Sequence, residues 1–155
     1  MSRYKIGDTV VVLQSCDVRN IGRIGRVTSV QSSGTGEDYY AIDAIPRCMY
    51  KESAIRAASG ADLISWERRR QIEVEGFDAS HDEQESLDDL TAAAISYAMV
   101  DLNPHLAQAF WPESWDMKWF KPKDRGSNLR RSGALMAAAL DKLRLMKQQR
   151  KEAAQ

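Results

Sequence analysis

The densest run of groups able to do chemistry lies between positions 75 and 85, where Glu75, Asp78, His81, Asp82, Glu83 and Glu85 crowd together. Carboxylates this close repel one another unless a cation, a basic side chain or water stands between them. The run therefore suits oxygen ligation of a divalent metal or general acid–base work. It equally suits an acidic loop that caps helices and pairs with arginines. A second run follows downstream, where Phe110, Trp111, Trp115, Trp119 and Phe120 are followed by Lys121, Lys123, Arg125, Arg130 and Arg131. Planar rings stack on tryptophan and phosphates meet guanidinium groups, so this run suits a nucleotide-like ligand. Tryptophan and arginine are also enriched at protein interfaces. The four-residue spacing of Trp111, Trp115 and Trp119 fits packing onto helices as core just as well. A third set, Arg19, Arg23 and Arg26, sits around a glycine-containing turn and offers phosphate contacts for a nucleic acid, or solvated loop charges.

Complete catalytic sets are absent from the sequence. His81 and His105 are the only histidines. The pair His81-Asp82 resembles the signature of the metal-dependent phosphohydrolases named for it, but those need an earlier second histidine, which this chain lacks. The helical nucleotide pyrophosphatases carry E-x-x-E followed by E-x-x-D, and only the second half has a counterpart here, in Glu75 with Asp78 or Glu85 with Asp88. No G-x-S-x-G, phosphate-binding loop or dinucleotide fingerprint is present, since Gly22-Arg23-Ile24-Gly25 lacks both the lysine and a following helix. Cys16 and Cys48 form no C-x-x-C pair, which argues against zinc and redox motifs and predicts plain core or half-buried thiols. No cofactor is implied.

The elements that must position these groups read as α+β, a small N-terminal β barrel followed by a three- or four-helix domain. Thr9 to Leu13, Val27 to Val30 and Tyr39 to Asp43 are β-branched or aromatic runs between turn signals, with a further short strand near Ile55. Gly22 and Gly25 are expected to supply positive φ at a turn or bulge. Ser59 caps a helix from about Ala61, with a partial apolar stripe of Leu63, Ile64, Trp66 and Ile72, an exposed side from Glu67 to Arg70, and Gly76 at its end. Ser86 with Asp89 opens the clearest helix, patterned by Leu87, Leu90, Ala94, Tyr97 and Ala98 and stopped at Asn103-Pro104. The aromatic stretch, interrupted by Pro112, is too irregular for one helix. From about Ser127, the stripe Leu129, Met136, Leu140, Leu143 and Met146 predicts a long final helix, with Gly133 and Ala137 letting a neighbour approach and a frayed end over Lys147 to Lys151. The barrel module spans 1–58 and the helical domain 60–150.

Two resemblances follow from these residues. The order K-x-G-D-x-V-x-V over Lys5 to Val12, then G-x-x-G-x-V over Gly22 to Val27, then an aromatic-rich strand, resembles the KOW-type and other Src-homology-like small barrels. That likeness implies binding to RNA, ribosome, polymerase or protein surfaces, through the segment from Gly22 to Val27. Glu67-Arg68-Arg69-Arg70-Gln71, Glu75-Gly76-Phe77, His81-Asp82-Glu83, Ala92-Ala93-Ala94 with Tyr97-Ala98, Trp111-Pro112, Trp119, Lys121-Pro122, Asp124-Arg125 and Gly133-Ala134-Leu135 together resemble a group of small phage and prophage proteins of unknown function. The likeness covers about residues 64 to 145 and departs at Phe77 and Glu83, where tryptophan and aspartate are usual.

Charge narrows the reading further. The chain is neutral overall, with 22 basic and 22 acidic residues, which argues against a general nucleic-acid coat. The charge is nonetheless unevenly placed: residues 1–58 carry a net +2, 59–102 a net −8 and 103–155 a net +6. The middle and the end are thus expected to pack as neighbouring helices with complementary faces, or to meet charged partners. No apolar run reaches the length of a membrane span and no charged-then-apolar leader follows Met1, so a cytoplasmic protein without membrane contact is expected. The expected function is that of a non-catalytic phage or prophage accessory protein that binds a host protein or other macromolecule and modulates it, as an inhibitor of a defence component would. The alternatives are a nucleotide-derived ligand binder or metal-dependent nucleotide hydrolase using Glu75, His81 and Asp82 with the aromatic run, and a nucleic-acid module acting through the barrel. Oligomeric state is open, because apolar helix faces serve bundles and dimers equally.

Overall fold

The computed structural model describes residues 2–34, 36–76 and 84–154. Strands β1 (Thr9–Val12), β2 (Ile24–Ser32), β3 (Asp38–Ile42), β4 (Ile45–Lys51) and β5 (Ile55–Ala57) precede helices α1 (Gly60–Glu75), α2 (Leu87–Met99), α3 (Pro104–Ala109) and α4 (Arg125–Ala153). This is an α+β order, an antiparallel sheet followed by helices. Two compact units divide the chain, Met1–Trp66 and Glu67–Gln155.

In the first unit the strands form one antiparallel sheet in the order β4-β3-β2-β1-β5, with β4 and β5 at its edges. The β-branched run of β1 is there because Val10, Val11 and Val12 are all buried, as a central strand demands. Its partner β2 is long enough to serve two neighbours: Ile24 to Arg26 pair with β1, and Val27 to Ser32 pair with β3 across a register shift between Val27 and Ser29. Val10, Val12, Val27, Tyr40, Ile42 and Ile55 build the core on one face. Strand β4 lies outside the expected strands, and it carries Pro46 and a positive φ of 74° at Arg47. At a sheet edge a proline costs no ladder hydrogen bond, so the strand survives there. The two glycines of the turn differ in purpose. Gly22 has φ of 79°, as expected, but Gly25 does not adopt positive φ. A Cβ at Gly25 would collide with Ile42 and lie 2.6 Å from Asp43 Oδ1 and 2.9 Å from Ala44 Cβ, so close approach is what requires glycine.

Helix α1 opens with a reciprocal cap, Ser59 Oγ accepting from Asp62 N–H at 3.3 Å and Asp62 Oδ2 accepting from Ser59 N–H at 2.8 Å. Gly76, with φ of 76°, closes it. The expected apolar stripe is not its buried side. Trp66 and Ile72 are exposed, while Glu67 and Gln71 are buried. Glu67 tolerates burial because Arg70 donates to it from Nη2 at 2.8 Å and Nε at 3.1 Å.

In the second unit, Ser86 caps α2 by accepting from Asp89 N–H at 2.9 Å. Leu90, Ala94 and Tyr97 are buried as their spacing predicts. Pro104 ends that pattern but also starts α3, capped by Asn103. Asp124 caps α4 by accepting from Ser127 N–H at 3.0 Å. This helix is regular through Ala153. Helices α2 and α4 pack together. The packing face of α4 is the reverse of the one its large apolar residues suggest: Asn128, Ala134, Ala138 and Ala139 are buried, whereas Leu129, Met136 and Leu140 are exposed.

Candidate functional site

The loop between α3 and α4 carries most of the candidate residues, and the structure sorts them into core and surface. Trp111 is buried. Its ring meets Tyr97 edge-on at 6.0 Å, Trp115 edge-on at 5.4 Å and Phe120 at 4.9 Å. Trp115 is half-buried and donates from Nε1 to Glu85 Oε2 at 2.5 Å. These two tryptophans therefore hold the loop on α2 and α4. Trp111 Nε1 is buried without an acceptor among the described residues.

Trp119 is different, with 53% of its surface exposed. It stands in a short 3₁₀ turn, Met117–Trp119, that Asp116 caps by accepting from Lys118 N–H at 2.9 Å. The Lys118 ammonium lies 2.8 Å from the Asp116 carboxylate and 5.9 Å from the Trp119 ring centre. The lysine's side-chain hydrogen bond holds the Asp116 carboxyl below its ordinary range. Backbone contacts fix the turn from beneath. Tyr97 Oη donates to Trp119 C=O at 3.4 Å and accepts from Lys121 N–H at 3.3 Å. Arg131, stacked 5.5 Å from the Tyr97 ring centre, donates to Lys121 C=O.

The basic candidates divide in the same way. Asn128, fully buried, accepts from Lys123 N–H at 2.8 Å and donates to Lys123 C=O at 3.0 Å, pinning the loop just before α4. The side chains of Lys121, Lys123 and Arg125 are exposed. Arg130 is half-buried and donates to Ser127 Oγ at 3.0 Å. The result is an exposed tryptophan on a braced turn with lysines around it, an arrangement able to bury a ring against a partner and to attract negative charge.

The acidic candidates do not assemble into a described site. Glu75 is taken by Arg70, Nη1 to Oε1 at 2.9 Å, and Glu85 by Trp115. Arg70, hydrogen-bonded first to Glu67 and then to Glu75, has its proton held more tightly than usual. Asp78, His81, Asp82 and Glu83 lie outside the described residues. Among the described residues no three histidine, cysteine or acidic side chains converge as a metal site. Three acidic side chains of the middle segment accept from neutral donors of the last one: Glu85 from Trp115, Asp89 from Ser114 at 3.0 Å and Asp101 from Asn128 at 3.3 Å.

In the first unit, Arg19 is held by Asp17 at 2.7 Å, Arg23 reaches Ala44 C=O at 3.5 Å, and Arg26 is exposed with its N–H donating to Asp43 at 2.8 Å. The Arg19 bond depresses the Asp17 carboxyl. A feature the sequence did not signal is an open groove of about 570 Å³ lined by Ser15, Cys16, Cys48, Tyr50 and Lys51. It brings both cysteines to one surface, where Cys16 is exposed and not a core thiol, and Cys48 is half-buried as expected. Among the described residues no helix is long and apolar enough to cross a membrane. Comparison with protein-family models, with curated proteins and with solved structures finds no match to this chain.

Proposed function

We propose that this is a non-catalytic binding protein of phage or prophage type, which grips a host protein through the braced turn carrying Trp119 and thereby modulates it in the host cytoplasm. The observation that carries this reading is the contrast within one loop: Trp111 and Trp115 are spent on packing, while Trp119 is half exposed beside Lys118. An exposed indole normally costs solubility, and one held on a preordered turn loses little further entropy on binding. The finer reading of the sheet, a KOW-like small barrel, belongs to the same proposal. It is supported by β2 switching partners across the Val27/Ser29 shift, the kind of bulge that curls a sheet toward closure.

The test is affinity capture from nuclease-treated host lysate, comparing the tagged chain with its Trp119→Ala variant. A host protein recovered in stoichiometric amount by the wild type and lost by the variant supports the proposal. Recovery unchanged by Trp119→Ala, or no recovered protein, overturns it. A nucleotide released on denaturing the purified chain points to the small-molecule reading in its place.

A further inference from the structure

Helix α4 has two apolar sides, and the described residues of its own unit use one. At 3.6 residues per turn, Ala134, Leu135, Ala138 and Ala139, which meet α2 and the aromatic cluster, lie opposite Leu129, Met136 and Leu140. The latter three are 52%, 39% and 66% exposed. Leu129, Gly133, Met136, Leu140, Leu143 and Lys147 alternate four- and three-residue steps, the period of a seam that takes another helix by interdigitating side chains. Gly133 within the seam, and Ser132 and Ala137 beside it, let a neighbouring backbone come close. The strip, in which Gly133 and Leu143 are half-buried and the other four residues exposed, is one residue wide at each turn, too narrow for the broad apolar face of a helix lying in a bilayer.

Charge decides the occupant. Helix α4 carries eight basic and two acidic residues. Toward the seam's end, Arg144, Lys147, Arg150 and Lys151 are exposed and make no ion pair among the described residues. A second copy laid on this face in parallel would set these cations against their own counterparts, and an antiparallel copy in register with the seam would bring Arg150 and Lys151 to the end that carries Arg125. We propose that this face of α4 docks an acidic amphipathic helix of a partner protein. The seam from Leu129 to Lys147 is about 27 Å long, so the partner helix spans about five turns. This surface lies across α4 from Arg131, which holds the Trp119 turn, and does not depend on the reading given to that turn.

The test uses the full chain and a labelled synthetic peptide of several heptads, with leucine at the seam positions and glutamate beside them. The control peptide replaces each glutamate with lysine. Anisotropy should show the acidic peptide binding and the basic one not. Leu140→Asp, at an exposed position where circular dichroism should stay unchanged, should weaken binding at least about tenfold. Arg144→Glu combined with Lys147→Glu should weaken it too, as should added salt, whereas Trp119→Ala should leave it intact. The proposal is overturned if the acidic peptide does not bind, if Leu140→Asp has no effect, or if Trp119→Ala abolishes binding. It is equally overturned if sedimentation shows a dimer that Leu140→Asp dissociates, or if duplex DNA or phosphatidylglycerol vesicles bind this face and the peptide does not.

Discussion

Truncating Trp111 and Trp119 separately should give opposite phenotypes, although both are tryptophans of the same loop. Trp111 is 6% exposed and touches three other rings. Replacing a buried tryptophan with alanine costs about 3–5 kcal/mol through lost transfer energy and the cavity left behind. One contribution works the other way. The Trp111 Nε1 proton has no acceptor among the described residues, and such a buried donor is itself a penalty of about 1–3 kcal/mol that truncation removes. The expected loss for Trp111→Ala is therefore about 2 kcal/mol. Trp111→Phe, which keeps an aromatic ring and removes the orphan donor, should cost under about 1.5 kcal/mol. Trp119→Ala should change stability by no more than about 0.5 kcal/mol, as surface substitutions do. Urea unfolding of the three variants, followed by far-ultraviolet circular dichroism of the helical transition, measures all of this. A Trp119→Ala loss comparable to that of Trp111→Ala, or a Trp111→Ala loss below about 1 kcal/mol, would refute the division of the loop into core and surface.

Asn128→Ala removes the acceptor for Lys123 N–H and the donor to Lys123 C=O from a fully buried position. It should cost about 2–3 kcal/mol in the same unfolding assay, because a backbone N–H is left unpaired, and amide exchange at Lys123 should accelerate. Asp62 gives a pH dependence. The Arg56 guanidinium, at 2.6 Å, and then Ser59 hold its carboxyl well below the ordinary 3.8. A depressed folded-state value means the contribution is complete above pH 3.8 and is lost as pH falls through the acid range beneath it. Asp62→Asn should consequently lower the unfolding midpoint at neutral pH and make no difference in strong acid, and an equal effect of the substitution at both extremes would contradict the pairing.

How much of this was legible in the sequence depends on what held each element. Strands β1 and β3 and helix α2 were readable because their own residues fix them: a β-branched run buried throughout, an aromatic pair in a short extended segment, and a serine cap followed by apolar residues at helical spacing. Strand β4 was not, because the tolerance of Pro46 depends on its being an edge, which only the neighbours determine. Gly25 was readable as special but for the wrong reason, since a close approach to Ile42 and Ala44 is set by chain segments distant in sequence. The tryptophans posed a similar problem. Their spacing of four holds for a continuous helix, and with Pro112 interrupting, each ring's fate was decided by the turn it landed in.

The misread face of α4 shows why periodicity alone assigns amphipathicity without assigning direction. The larger residues Leu129, Met136 and Leu140 dominate any hydrophobic pattern, and the alanines opposite them look like filler. Packing reverses the ranking, because α2 is itself built of small residues where it is most buried, Ala93, Ala94 and Ser96. Two helices lined with alanine approach closely and exclude water with little side-chain entropy to lose. The leucines and methionine would hold the axes apart. Once the small face is taken internally, the large face has no partner among the described residues of the unit, and its cost in exposed apolar surface is the same kind of cost seen at Trp119. Leu129, Met136 and Leu140 lead along one side of α4 to the exposed cations Arg144, Lys147, Arg150 and Lys151, and in the proposal above a partner of opposite charge completes that packing.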